Sequence, residues 1–180
     1  MTARALADRT APPLLGIYLN DHLTGAGAGV ELLRRAARHQ RGTPRGPRLA
    51  ALAEEVEQDR EQLRALMTEL GIPAMRSRMA LGWLAEKAGR LKLNGRIVSR
   101  SPLSDVLELE AMRLGVEGKA SCWRSLRSLA GTDPRIDLGR VDELLRRATE
   151  QARVLESLRT ERAAQVFRAD AERRTQAPVS

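Results

Sequence analysis

The feature that most constrains this chain is a spacing. Four long stretches place their inner residues alternately three and four positions apart, and breaks rich in Pro and Gly separate them. That rhythm lays one stripe of a helix against neighbouring helices; a strand alternates its side chains with period two and cannot use it. After Pro12-Pro13 the first line reads Leu15, Leu19, His22, Ala26, Gly29, Leu33 and Ala36, which predicts a helix over 14–39. Gly42, Pro44, Gly46 and Pro47 interrupt it. Leu49, Leu52, Val56, Asp59, Leu63, Leu66 and Leu70 then predict a second helix over 48–70, ended by Gly71-Ile72-Pro73. Ser101-Pro102 is a helix start, and Leu103, Leu107, Glu110, Leu114, Glu117 and Ser121 predict a third helix over 102–129. Asp137 caps a fourth over 138–168, whose inner line is Val141, Leu144, Ala148, Gln151, Leu155 and Leu158.

Composition points the same way. Only Tyr18, Trp83, Trp123 and Phe167 are aromatic, which leaves a sheet little to build with and argues against a mostly β fold. The lone Cys122 rules out an internal disulfide framework, and His22 and His39 cannot complete a zinc-finger set. Helices of this length run roughly 35–45 Å, the proportions of an all-α four-helix bundle. Short turns near 40–47 and 130–137 make two antiparallel hairpins, and the longer stretch 71–101 joins them as a crossover. Met79, Trp83, Leu84, Ala88 and Leu91 predict a short amphipathic helix within that crossover. The expected organisation is a flexible tail over 1–13, a bundle domain over 14–168 and a flexible tail over 169–180.

Two of the predicted helices share a texture: LTGAGAGVELLRR in the first and MRLGVEGKASCWRSL in the third each combine small residues with an acidic or polar inner position. With two hairpins joined by one long crossover, the chain over 14–168 resembles the ferritin-like superfamily. That resemblance implies a bundle able to hold a di-iron or di-manganese carboxylate site, built from a Glu on each of two helices and a Glu-x-x-His on each of the others. The spacing fails here, because Leu19 stands three residues before His22 and Ala36 three before His39. No cofactor is therefore expected, with iron or manganese as the alternative; an enzyme is not favoured.

Polar residues nevertheless fall on the inner lines: His22, Asp59, Glu110, Glu117 and Gln151. A buried carboxylate needs a partner, a proton or a metal. Hairpin register sets Glu117 level with Gln151, so those two are expected to hydrogen-bond, and Glu110 and Glu117 to form a structural network with Arg113. His22, Asp59, Glu110 and Glu117 are also the candidate ligands should a metal bind. Gly25, Gly27 and Gly29 lower helix propensity and imply a closely packed neighbouring helix. They follow no strand, which excludes a dinucleotide loop, and neither a nucleophile elbow nor a Walker loop occurs. Cys122 reads as core packing.

The formal charge is +8, concentrated in residues 32–53 and 75–100. Arg34, Arg38, Arg41, Arg45 and Arg48 are the candidate polyanion contacts, through phosphates and without sequence selection, since so few aromatics provide no stacking platform. Nucleic acid is expected to bind only feebly. The favoured partners are a second copy of the chain or another protein. The segment Leu14–Leu33 is too polar to span a bilayer, and Met1–Pro13 lacks the apolar core of a signal peptide, so a cytoplasmic location is expected.

Overall fold

The computed structural model describes residues 14–75 and 101–176, and these form four helices with no strand among them. They are α1 (Leu14–His39), α2 (Arg45–Glu69), α3 (Pro102–Leu129) and α4 (Leu138–Gln176). The tail predicted over 1–13 and the short helix predicted from Met79 to Leu91 lie outside the described residues.

Local chemistry accounts for the ends. Ser101 accepts a hydrogen bond from Leu103 N at 3.3 Å and Pro102 opens α3, where its missing N–H is not needed. Asp137 caps α4 as expected, accepting from Arg140 N at 3.2 Å. At the C-terminus of α2, Gly71 adopts φ 70°, Ile72 N donates to Met67 O at 2.8 Å and Gly71 N to Thr68 O at 3.0 Å. This is a Schellman motif, and its left-handed residue favours glycine. Helix α2 begins at Arg45 rather than 48, because Pro44 and Pro47 both sit where a first turn tolerates proline. Helix α4 runs to Gln176, so the flexible tail predicted from 169 is helical through that residue. Asp170 pairs with Arg173 (3.3 Å) and Arg174 (3.5 Å) one turn on, and both arginines complement the helix dipole.

Helix α1 packs beside α2 and α3, and α4 beside α3 and α2. Tyr18 Oη lies 3.2 Å from Ser125 Oγ and Arg35 lies 3.5 Å from Glu108, so α1 and α3 are antiparallel. Arg45 reaches Gln165 (3.2 Å) and Arg140 reaches Glu69 (2.8 Å), so α2 and α4 are antiparallel too. Every neighbouring pair is thus antiparallel, while the diagonal pair α2 and α3 runs parallel. The chain leaves α2 at one end of the bundle and resumes in α3 at the other.

The predicted inner lines of α2 and α4 are buried throughout. On α1 the line holds at Leu19, Leu33 and Ala36, but in the middle Leu23 and Val30 are buried and His22 and Gly29 sit at its edge. The α3 line needs correcting. Its buried residues are Asp105, Val106, Leu109, Met112, Val116, Ala120, Cys122, Trp123 and Leu126. Glu110 and Ser121 are exposed, and Leu114 is 56% exposed. Helix α3 carries two apolar lines, and the one holding Met112 and Trp123 faces inward because it removes more apolar surface from water.

Candidate functional site

Polar groups from three helices meet inside the bundle. Asp59 on α2 is 1% exposed, placed there by a line otherwise made of Leu and Val. Lys119 on α3 donates from Nζ to Asp59 Oδ2 at 2.6 Å and also to Gln151 Oε1 on α4. Gln151 Nε2 donates to Asp59 Oδ2 and to Glu55 Oε2, both at 3.1 Å. Arg147 on α4 brings Nε to 2.8 Å from Asp59 Oδ1, an ion pair outside hydrogen-bond alignment, and its Nη2 donates to Glu55 O (3.2 Å) and Gln58 Oε1 (3.1 Å).

The cluster holds two cations, Lys119 and Arg147, and two carboxylates, Asp59 and Glu55. Burial pushes the Lys119 ammonium below its ordinary range; the Asp59 and Glu55 carboxylates oppose that, and Arg147 adds to it. Both oxygens of Asp59 face a cation carried by the chain itself. Among the described residues no group of three or more His, Cys, Asp and Glu is placed to hold a metal ion.

The candidates read from sequence are scattered. His22 lies at the α1 edge with its ring 4.5 Å from that of Tyr18, edge to face. Burial lowers its pKa against the opposing charge of Asp21. Glu110 faces solvent, and the side chain of Glu117 is 43% exposed and 3.8 Å from Arg113. Neither is an inner carboxylate, and the bond expected between Glu117 and Gln151 is instead made by Lys119, two positions further along α3. Lys119 and Arg147 were not singled out in the sequence. The signal that would have found Lys119 is the helical spacing from Met112, Val116 and Trp123, which turns it inward.

At the other end of the bundle Asp105 is buried and accepts from Gln40 (3.1 Å) and from Arg162 Nε (3.0 Å), and Arg162 Nη2 completes the ion pair at 2.8 Å. Arg45 belongs to this cluster: its side chain is only 12% exposed and it donates to Gln40 Oε1 at 3.3 Å. That corrects its assignment as a phosphate contact. Arg34 is paired with Glu31 (2.9 Å) and Glu57 (3.7 Å), while Arg38, Arg41 and Arg48 are exposed. The close helix expected over Gly25, Gly27 and Gly29 is not found among the described residues, where an added Cβ meets nothing nearer than Arg60 at 3.7 Å from Gly27. Cys122 is buried, and burial pushes its thiol up to about 12.

No described helix is long and apolar enough to cross a membrane. No family model, curated protein or solved structure matches this chain.

Proposed function

We propose that this chain is a ferritin-like four-helix bundle that acts in the cytoplasm as an interaction scaffold, through its surface or as an oligomer, rather than through a metal centre. The helix directions support the architecture: adjacent helices are antiparallel and the chain changes ends between its hairpins. The observation that carries the functional reading is the closure of Asp59 by Lys119 at 2.6 Å and Arg147 at 2.8 Å.

A di-iron or di-manganese centre does not fit these residues. Divalent ions would need the Asp59 and Glu55 oxygens that Lys119, Arg147 and Gln151 already engage, and would face two cations fixed to the backbone. His22, Glu110 and Glu117 stand apart from Asp59 on other faces. Nucleic-acid binding has little support, because Arg45 is turned inward and Arg34 is ion-paired.

The test is elemental analysis of protein purified without chelator, together with its mass in solution by light scattering. Metal well below one ion per chain, melting unaffected by chelator and a defined oligomer or captured protein partner agree with the proposal. Iron, manganese or zinc near one per chain, lost in Asp59→Asn, favours a divergent carboxylate metalloprotein instead.

A further inference from the structure

The α3–α4 hairpin carries an open groove of about 550 Å³ near the turn that joins its two helices. Three guanidiniums, those of Arg124, Arg127 and Arg146, line it against a single carboxylate, Asp142, and the half-buried Leu145 adds an apolar contact. The pair between Arg127 and Asp142 sets the hairpin register, so Arg124 stands level with Leu145 and beside Arg146. Both walls lie within helices, whose backbone N–H groups are already committed. The hydroxyls at the rim are committed too: Ser128 donates to Ser125 O at 2.7 Å and Thr149 to Leu145 O at 3.0 Å. The arginines are therefore the donors this groove offers.

Elsewhere the arginines bind the bundle together: Arg140 reaches Glu69 and Gln62, Arg147 reaches Gln58, and Arg162 reaches Asp105. In the groove they keep donors in hand. Arg127 uses Nε on Asp142 Oδ1 at 2.6 Å, and Arg146 uses Nε and Nη2 on Glu143 at 2.8 and 2.7 Å, which leaves both Nη of the first and Nη1 of the second. The side chain of Arg124 makes no hydrogen bond or ion pair among the described residues. Arg124 and Arg146 share one height, and Arg127 lies about 4.5 Å further along α3. That spacing suits carboxylates one or two residues apart on an extended segment, which rises about 3.3 Å per residue. A compact phosphate would instead call for the backbone N–H groups of a helix start, which these walls lack. Charge also says where the acidic segment comes from. Residues 76–100 hold seven Lys and Arg against Glu86, and residues 1–13 hold Arg4 and Arg9 against Asp8, so neither complements the groove. The formal charge of +8 opposes a second copy and favours an acidic partner.

We infer that the groove between α3 and α4 binds an acidic segment of a partner protein, anchored by Arg124 with Arg127 and Arg146 beside it. The guanidinium forks pair with carboxylates, and the exposed Arg127–Asp142 pair is weak enough to open toward a ligand that offers more than one. The inference rests on the scaffold reading but is tested apart from it: a metal held at Asp59 would overturn that reading and leave peptide binding in this groove unaltered.

Fluorescence anisotropy of fluorescein-labelled hexaglutamate, titrated with the full chain at physiological salt, tests this. The double variant Arg124→Gln, Arg127→Gln should weaken binding about tenfold, since it removes two charge-assisted pairs. Asp142→Asn should strengthen it about threefold, because the groove loses its own carboxylate and Arg127 is released. That gain cannot come from a misfolded chain. Arg173→Gln, Arg174→Gln removes the same charge at the far end of α4 and should leave the affinity within about twofold. No binding of hexaglutamate overturns the inference, and so does equal weakening by the two double variants, which marks diffuse attraction to a basic surface. Duplex DNA held more tightly than hexaglutamate, and lost with Arg124 and Arg127, assigns the groove to nucleic acid and overturns it as well.

Discussion

The Asp59 carboxylate of α2 and the Lys119 ammonium of α3 meet at 2.6 Å across the diagonal of the bundle, joining two helices that do not otherwise pack against each other. Gln151 and Arg147 bring α4 to the same carboxylate. Breaking such a pair by removing one partner leaves the other charge buried. Asp59→Ala and Lys119→Met are each expected to lower stability by about 3–5 kcal/mol. The double variant Asp59→Ala, Lys119→Met should lose clearly less than the sum. Guanidinium unfolding of all four proteins measures the coupling, and strict additivity would sink it.

A contrasting outcome is expected on the same helix. Glu117 is partly exposed and, among the described residues, is ion-paired with Arg113 at 3.8 Å. Glu117→Ala should change stability by less than about 1 kcal/mol, as surface pairs do. A loss as large as that of Asp59→Ala in the same unfolding series would return Glu117 to the interior.

How far the sequence reveals this fold differs from helix to helix. On α2 and α4 a single apolar line competes with nothing, so the inner face could be read position by position, Asp59 and Gln151 included. On α3 two lines of similar strength run side by side, and spacing alone cannot say which meets the core. The line through Leu107 and Leu114 reads as the stronger because leucine repeats at regular intervals, yet packing against α1 and α4 favours the bulk of Met112 and Trp123. The same competition hides Lys119. Once the wrong line is taken as inner, a lysine between Gly118 and Ala120 reads as solvated. The length of α4 was hidden for another reason: its last turns are polar and held by local ion pairs such as Asp170–Arg173, which leave no hydrophobic periodicity to follow.

Acid should act on the fold through His22. Its pKa is lowered by burial from 6.5, so between the folded value and 6.5 the unfolded chain binds more protons and stability rises with pH. Melting temperature should therefore fall as pH drops below 6.5. His22→Gln should flatten that part of the curve. The Asp133 and Glu156 carboxylates, held at about 2 by Arg135 and Arg159, titrate in a lower window and leave the range just below pH 6.5 to His22. A slope there that survives His22→Gln would refute the assignment.

Asn20 fixes where the chain goes after α2. Asn20→Leu keeps the volume but removes the acceptor of Met75 N and the donor to Pro73 O. Leaving those backbone groups unpaired is expected to destabilise by about 1–3 kcal/mol. The loss should be visible as faster hydrogen exchange at the Met75 amide, while exchange at the centre of α2 is little changed.

The thiol of Cys122 should be chemically silent. With its pKa pushed up to about 12 from 9.0, its thiolate population at pH 8 is about a thousandfold lower than that of an unburied thiol. Iodoacetamide is expected to label it only as fast as the bundle opens. Rapid labelling of the native chain would place Cys122 at the surface.

The central cation of this bundle is part of the polypeptide, and that changes what its stability depends on. A core closed by a bound ion gains stability by mass action, in proportion to the logarithm of the free ion over its dissociation constant, so it weakens when supply falls. Lys119 carries no such dependence. Its stoichiometry is set at synthesis, it cannot be exchanged for a competing ion, and the joint between α2, α3 and α4 is complete as soon as the chain has folded.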